Sequence, residues 1–189
     1  MPNWCSNVVT IESESKAALT AIANAYNKGT LLTSLLKDSG EADPKLITAW
    51  RFKNWGTCLD VVSPEVDENV YKFKASEDFW SLDLNFESAW TPPLKLYALL
   101  SIADEISLTA FFYESVTGYC GRFKNGIDAF YTIDKLTSKW TSLNLPTDID
   151  CALGITERLE EWEDYEFELK EEEKEKKKTA GALFGKGRV

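Results

Sequence analysis

Apolar and polar positions in the first thirty residues follow a strand period and then a helix period. The run Asn7–Glu12 is rich in β-branched residues, which predicts a short strand. A helix is predicted over residues 16–28, because its apolar residues recur at i, i+3, i+4 and i+7. These residues are Leu19, Ile22, Ala23 and Tyr26. Ser13 or Ser15 is the predicted N-cap, and Gly29 is the predicted stop.

The next fifty residues give weaker patterns. Four leucines within residues 31–36 predict a second short helix, which the polar run 38–41 ends. Strands are predicted at Cys58–Val62 and at Val70–Ala75, where apolar and polar residues alternate. Phe79–Trp90 alternates most regularly, with Trp80, Leu82, Leu84 and Phe86 on one side. This is the pattern of a half-buried antiparallel strand.

Proline and glycine residues mark the ends of the remaining predicted strands. The Thr91-Pro92-Pro93 run ends the preceding strand and opens a helix, because proline suits the first turn of a helix but not a central strand. That helix carries Leu96, Leu99, Leu100 and Ala103 on one stripe. Leu108–Glu114 and Ile127–Ile133 are predicted strands, and Asn125-Gly126 is a tight-turn signal between them.

The order of elements predicts an α+β fold. It contains β-α-β-β-α-β, which predicts a ferredoxin-like antiparallel sheet with helices on one face over residues 1–149. A long acidic amphipathic helix is predicted over 150–178, since Ile155, Leu159, Trp162, Tyr165 and Leu169 fall at helical spacing. Residues 179–189 are glycine-rich and are predicted to form a flexible tail.

Charge is distributed unevenly along the chain. The net charge is −10 at pH 7. Residues 157–175 hold 11 acidic and three basic side chains, a balance of −8, whereas 176–189 hold five basic and no acidic ones. A predominantly acidic surface disfavours direct nucleic-acid binding, which needs basic residues. It favours either simple solubility or a basic partner protein.

The residue types present in the chain exclude several classes of catalysis and of metal binding. The chain has no histidine, so Ser-His-Asp and Cys-His catalysis and imidazole metal ligation are excluded. The four cysteines, at 5, 58, 120 and 151, form no C-x-x-C pair, and we interpret them as reduced, buried thiols. No metal or cofactor is predicted. No run approaches the ~18 apolar residues of a membrane span, and the first residues lack signal-peptide order. We therefore expect no membrane association and a cytoplasmic location.

Four sequence blocks occur together in order: Met1–Asn7, Asn54–Thr57, Phe86–Pro93, and Tyr113-Glu114 with Gly118 and Gly121-Arg122-Phe123. The combination resembles the plasmid and bacteriophage family with a YubB-type ferredoxin-like domain, over roughly residues 1–135. The family usually has Lys and Trp after its Gly-Thr pair, where this chain has Cys58 and Leu59. The resemblance implies a ferredoxin-like fold and a mobile-element origin, and it implies no particular activity.

A candidate binding cluster follows from these blocks if the strand ends converge at one end of the sheet. Its members are Asn3, Trp4, Asn54, Trp55, Gly56, Glu87, Trp90, Tyr113 and Glu114. Such a cluster would form an aromatic pocket with two carboxylates, Glu87 and Glu114, able to bind a ligand or to act as an acid–base pair. Alternatively, the tryptophans fill the core and Gly56 only permits a turn.

A second candidate surface lies on the acidic C-terminal helix. Its residues are Leu159, Glu160, Glu161, Trp162, Glu163 and Tyr165. The apolar stripe either docks on the domain, which we expect, or meets a partner protein or another copy of the chain.

Three classes of function remain. The first is a non-catalytic phage or plasmid accessory protein that binds a host protein through an acidic surface, inhibiting a host defence or restriction system. The second is a small enzyme or ligand-binding domain that uses the Glu/Trp cluster. The third is an RNA-binding ferredoxin-like module, because aromatic residues on a sheet can stack bases. Acidity and the missing histidines favour the first, with an enzyme less expected and homo-oligomerisation through the C-terminal helix as a further expectation.

Overall fold

The computed structural model describes residues 2–61, 72–75, 79–103 and 106–184. Its contacts divide the chain into two compact units, Met1–Asp134 and Lys135–Val189. The boundary falls at residue 134, whereas the sequence analysis places it at 149.

The first unit combines a sheet with four helices. In chain order these are β1 (Trp4–Ser13), α1 (Lys16–Asn27), α2 (Leu31–Leu35), α3 (Pro44–Asn54), β2 (Lys72–Ala75), β3 (Trp80–Ala89), α4 (Leu94–Ser101), β4 (Ile106–Glu114), β5 (Tyr119–Lys124) and β6 (Ile127–Thr132). The predicted α+β class is confirmed. The strands form one six-stranded sheet in the order β2-β3-β1-β4-β5-β6, and every neighbouring pair is antiparallel.

Helices α1, α2 and α4 pack on one face of this sheet. The predicted α1 residues Leu19, Ile22, Ala23 and Tyr26 are all buried there, and Ser15 caps the helix by accepting a hydrogen bond from the Ala18 N–H. They meet alternate strand residues such as Val9, Leu84 and Leu108. Because successive strand residues point to opposite faces, the other set, including Val8 and Phe111, lies on the face away from these helices. We call this second side the open face.

The structure corrects three predictions in the first unit. Cys58–Val61 is not a strand, because Asp60 accepts hydrogen bonds from the N–H groups of Leu32 (2.8 Å) and Thr33 (3.0 Å) and so holds the segment against α2. Val62 and the predicted strand residues 70 and 71 lie outside the described residues. Leu99 is exposed and Ala103 follows α4, so the buried side of that helix is Leu96 and Tyr97.

Two elements of the first unit are absent from the sequence predictions. Helix α3 buries no residue, so it has little apolar periodicity to detect, although Asp43-Pro44 is a helix-start signal. Strand β5 contains Gly121, which weakens a strand pattern. Here the glycine is required, since a Cβ would lie 2.3 Å from the Ala129 carbonyl oxygen and 2.6 Å from the Phe112 ring.

The cysteines divide between the units. Cys5, Cys58 and Cys120 are buried thiols, as expected, whereas Cys151 in the second unit is exposed.

The second unit is helical. It contains α5 (Ser138–Asn144), α6 (Thr147–Leu153) and α7 (Ile155–Phe184). The predicted long helix exists, but it begins at Ile155 rather than near Asp150, because Gly154 adopts a left-handed conformation (φ 59°) that ends α6. The helix also continues through residues 179–184, which were predicted to be flexible, and residues 185–189 lie outside the described part. Among the described helices, none is both long and apolar enough to cross a bilayer.

Candidate functional site

The strand ends named by the sequence blocks do converge. The register pairs Trp4 with Ala89 and Cys5 with Glu114. The start of β1 and the ends of β3 and β4 therefore lie side by side. We call this place the sheet end.

Trp55 and Gly56 support the sheet end structurally. Trp55 is fully buried, and its indole Nε1 donates to the Leu36 carbonyl at 3.0 Å. Gly56 has φ 89°, and a Cβ there would lie 3.2–3.4 Å from backbone atoms of Leu94, Pro92 and Lys95. These two residues therefore have the structural role that the alternative interpretation assigned to them.

Trp90 differs from them, because it is exposed and its backbone is strained. Its φ is 63°, in the left-handed region that large side chains rarely adopt. The Trp90 N–H donates to the Asn3 carbonyl at 2.8 Å, and the Tyr119 hydroxyl donates to the Trp90 carbonyl at 2.7 Å. Strain of this kind costs about 1–2 kcal/mol and persists only where the surroundings fix the conformation.

Hydroxyl groups on both sides of Trp90 complete that fixation. The Thr57 hydroxyl donates to the Ala89 carbonyl at 2.8 Å, and the Thr91 hydroxyl donates to the Gly56 carbonyl at 2.5 Å. The Ser88 hydroxyl donates to the Thr91 carbonyl at 2.9 Å. The residues before and after Trp90 are thus tied to the Gly56 turn.

The indole of Trp90 stacks on Phe52 of α3. The ring centroids are 5.9 Å apart with an interplanar angle of 22°, and the two residues are 42% and 38% exposed. We call this pair the Trp90 surface. Sequence reasoning named Trp90 but missed Phe52, whose helix it did not predict.

The two glutamates of the predicted pocket do not form a pair. Glu87 lies opposite Ser6 on the open face, whereas Glu114 lies opposite Cys5 on the face that carries the helices. Glu114 is 1% exposed and accepts hydrogen bonds from the N–H groups of Val116 (2.7 Å) and Thr117 (2.9 Å). It stabilises the β4–β5 turn and does not reach a shared ligand position with Glu87.

The other predicted cluster members are divided as well. Trp4 and Tyr113 are half-buried on the open face. Asn3 contributes its carbonyl to Trp90, and the Asn54 amide donates to the Trp50 carbonyl at 2.7 Å. The structure thus brings Asn3 and Gly56 to Trp90 and leaves Glu87 and Tyr113 on the open face.

Electrostatics at the sheet end do not favour proton transfer near neutral pH. Burial raises the pKa of the Cys5 thiol to about 12 and also raises the pKa of Tyr119. Burial alone would raise the pKa of Glu114, but the hydrogen bonds from Thr117 and Val116 lower it overall. These groups stay in one protonation state around pH 7. Within the described residues, no group of three or more Cys, Asp or Glu side chains is placed to hold a metal ion.

The acidic helix presents a second exposed surface. Trp162, Tyr165 and Leu169 recur at i, i+3 and i+7, and they are 52%, 59% and 43% exposed. We call these three residues the α7 stripe. The expectation that the stripe docks on the first unit stays a prediction.

A different side of α7 packs within the second unit. Ile155 is buried and Leu159 is half-buried. Glu163 accepts hydrogen bonds from the Ser138 N–H at 3.0 Å and the Ser138 hydroxyl at 2.6 Å, which caps α5 and lowers the pKa of Glu163. Leu159 and Glu163 are therefore structural. The predicted residues Glu160 and Glu161 are both exposed, but only Glu161 lies next to the stripe, whereas Glu160 lies on the opposite side of the helix.

Comparisons of this chain with protein-family models, with curated proteins and with solved structures found no match. The geometry of the Trp90 surface and of the α7 stripe is therefore the basis for inferring a function.

Proposed function

We propose that this chain is a non-catalytic interaction protein that binds a basic host protein through the α7 stripe. The observation that carries this proposal is the exposure of Trp162, Tyr165 and Leu169 on one side of an acidic helix. Apolar anchors at i, i+3 and i+7 are the means by which amphipathic helices dock into protein grooves. Tryptophan and tyrosine are also the residues that most often dominate binding energy at such interfaces.

The charge of α7 defines the chemistry of the partner. Residues 157–175 carry a balance of −8, and the exposed Glu161 lies beside the stripe, one helical turn before Tyr165. Complementary charge speeds association and discriminates between partners. A groove lined with Lys and Arg around an apolar floor fits this surface.

Pre-organisation of α7 supports the same role. Exposed ion pairs at i, i+4 join Lys170 to Glu166 at 2.7 Å and Lys176 to Glu172 at 3.2 Å. Such pairs favour the helical state by about 0.3–0.5 kcal/mol each. A helix already formed before binding loses less conformational entropy when it docks.

The wider biological setting is part of the proposal. We infer a ferredoxin-like core of the YubB type, supported by the β2-β3-β1-β4 order with β5 and β6 added at one side. The sequence blocks that resemble that family meet at the sheet end. A plasmid or phage accessory protein that inhibits a bacterial defence or restriction system fits an acidic binding helix on such a core.

The Trp90 surface favours a second candidate, a ligand-binding domain. A strained, hydrogen-bonded backbone that holds an exposed indole is typical of functional positions. Trp90→Ala removes the ring, and loss of partner or ligand binding in this variant, with the α7 stripe intact, would support this candidate over the first.

The test of the principal proposal compares two changes on the same helix. Proteins are captured from a bacterial lysate with three tagged full-length proteins. These are the wild type, the triple variant Trp162→Ala/Tyr165→Ala/Leu169→Ala, and the single variant Phe167→Ala. Phe167 is 65% exposed but lies on the opposite side of α7 from the stripe, so it controls for exposed aromatic character.

We expect a basic protein to be captured by the wild type and by Phe167→Ala and to be lost from the triple variant. Binding of that purified protein should also weaken as salt rises. Equal capture by the triple variant and the wild type contradicts the proposal.

A further inference from the structure

Charged residues are unevenly distributed over the open face of the sheet. Positions on β1 and β3 carry the carboxylates Glu12, Asp83 and Glu87, and the neighbouring β2 has Lys72 and Lys74 at open-face register positions. On β4, β5 and β6 the described open-face residues include no carboxylate, and two exposed cations, Arg122 and Lys124, stand on β5. The negative net charge of the chain therefore does not describe this half of the sheet, which we call the basic half.

Aromatic residues stand in the row of Arg122 and in the next row of the open face. The register places Phe111 directly opposite Arg122, and the next row crosses from Tyr113 through Cys120 to Tyr131. Phe111 and Tyr113 alternate along β4, so their Cα atoms are about 6–7 Å apart on the same face. All three aromatic residues are half-buried, which leaves ring surface accessible.

A concavity open to solvent includes Arg122 and Ala129, which stand in the same row of the sheet as Phe111. Its volume is about 480 Å³, and Lys124, Asn125 and Ile127 complete its lining. Ligand sites of roughly 300–1,000 Å³ are common in proteins. The small Ala129 side chain lies opposite Arg122 and leaves room in this row of the sheet.

We propose that the basic half binds a nucleotide unit, either free or within single-stranded nucleic acid. A base would stack on Phe111 or Tyr131 while the phosphate lies against Lys124 and Arg122. Aromatic platforms next to a basic groove are the general means by which proteins bind single strands without reading sequence. An acidic peptide would be attracted by the two cations but would not stack on the aromatic rows, so we favour the nucleotide.

The negative charge of the whole molecule limits the expected affinity for a nucleotide. Carboxylates on β1 and β3 repel phosphate, so binding should be weak, about 10⁻⁴ M at moderate salt. With two phosphate contacts on a single strand, the slope of log K against log salt should be about −1.4. Glu87→Gln should tighten binding, because it removes one of the repelling charges.

The test uses fluorescence anisotropy of a labelled oligouridylate of about 10 nucleotides, within the usual range of site sizes. Full-length wild type is compared with Lys124→Glu, Tyr131→Ala and Tyr131→Phe. The control Lys45→Glu makes the same charge change at an exposed position on α3. A parallel arm with unlabelled uridine monophosphate as competitor distinguishes a mononucleotide site from one that needs a chain, and a labelled acidic peptide tests the other occupant.

We expect Lys124→Glu to weaken binding about tenfold and Tyr131→Ala at least about fivefold. Tyr131→Phe should keep the affinity, since the ring and not the hydroxyl is required. Lys45→Glu should stay within about twofold, and circular dichroism should show that each variant is folded.

Three results would overturn the proposal. They are no saturable binding of either nucleotide probe, equal weakening by Lys45→Glu and Lys124→Glu, or binding of the acidic peptide alone. The proposal is independent of α7, so the variant Trp162→Ala/Tyr165→Ala/Leu169→Ala should bind the oligonucleotide as the wild type does.

Discussion

Trp90 and Trp162 are similarly exposed, at 42% and 52%, but the molecule presents them in different ways. Trp90 stands on a strained backbone that the Asn3 carbonyl and four hydroxyl groups hold in place. Trp162 stands on a regular helix. The sheet end can therefore hold one side chain in a fixed position, whereas α7 displays a row of anchors along an exposed surface.

This difference predicts which substitutions should change the stability of the fold and which should change binding. Residues at the sheet end are linked to the core, so changes there should alter folding. Residues of the α7 stripe have few contacts, so changes there should alter binding alone.

The largest change in the free energy of unfolding should come from Trp55, which is buried at the sheet end. Trp55→Ala leaves a cavity and an unpaired Leu36 carbonyl, and we expect it to lower the free energy of unfolding by about 3–5 kcal/mol. Denaturant unfolding measures this. Trp162→Ala is the matched change on α7 and should stay within about 0.5 kcal/mol of wild type. Comparable losses from the two substitutions would remove the distinction between the regions.

A smaller effect should come from Glu114. Its carboxylate accepts buried hydrogen bonds, and Glu114→Gln should cost about 1–3 kcal/mol at pH 7. Because the folded-state pKa of Glu114 is lowered, its contribution is fully present above the unfolded-state pKa of about 4.3. It is lost as the pH falls through the lower, folded-state value.

Unfolding measured between pH 7 and pH 3 checks this sign. The wild type should lose more stability on acidification than Glu114→Gln does. Glu160→Gln makes the same charge change on the exposed surface of α7 and should reproduce the wild-type acid profile. An acid profile of Glu114→Gln that parallels the wild type would argue against this role.

Because the Trp90 backbone is strained, we expect a glycine variant at this position to be more stable than an alanine variant, which is the reverse of the usual order. Glycine adopts positive φ freely, so Trp90→Gly should be more stable than Trp90→Ala by about 1 kcal/mol. At Phe167 in the middle of α7, the order should be opposite, with Ala better than Gly by about 1 kcal/mol. Melting temperatures of the four variants test this, and the same order at both positions would contradict the strained conformation.

The smallest effect should come from the exposed ion pairs of α7. Lys170→Ala removes the partner of Glu166, and we expect about 0.3–0.5 kcal/mol of local helix stability to be lost. Amide hydrogen exchange over residues 166–176 detects such a change. High salt should reduce the difference between this variant and the wild type, and a difference that grows with salt would show that charge is not its cause.

The sequence predicted those parts of the fold in which one apolar face is buried. Helix α1 and strands β1, β3 and β4 have regular burial, so their residues repeat at helical or strand spacing. Helix α3 buries nothing and β5 has Gly121 at its centre, so neither shows a clear period. The strand prediction was wrong for Cys58–Val61 because Asp60 binds the α2 backbone, an interaction that no local sequence pattern shows.

The site could be predicted only in part, for a related reason. Trp90 and Gly56 stand in recognisable blocks, and convergence of strand ends follows from antiparallel order. Whether Glu87 and Glu114 share a face depends on the register, which the sequence leaves open by one residue. Likewise, the exposure of Trp162 depends on which side of α7 meets α5, and helical spacing alone does not determine this.

Hydrogen–deuterium exchange of the complex with the captured partner tests the central claim most directly. We expect partner binding to slow exchange in α7 around Trp162, Tyr165 and Leu169. Exchange in β1 and β4 should be unchanged. Protection confined to the sheet end around Trp90, with none in α7, would contradict the account.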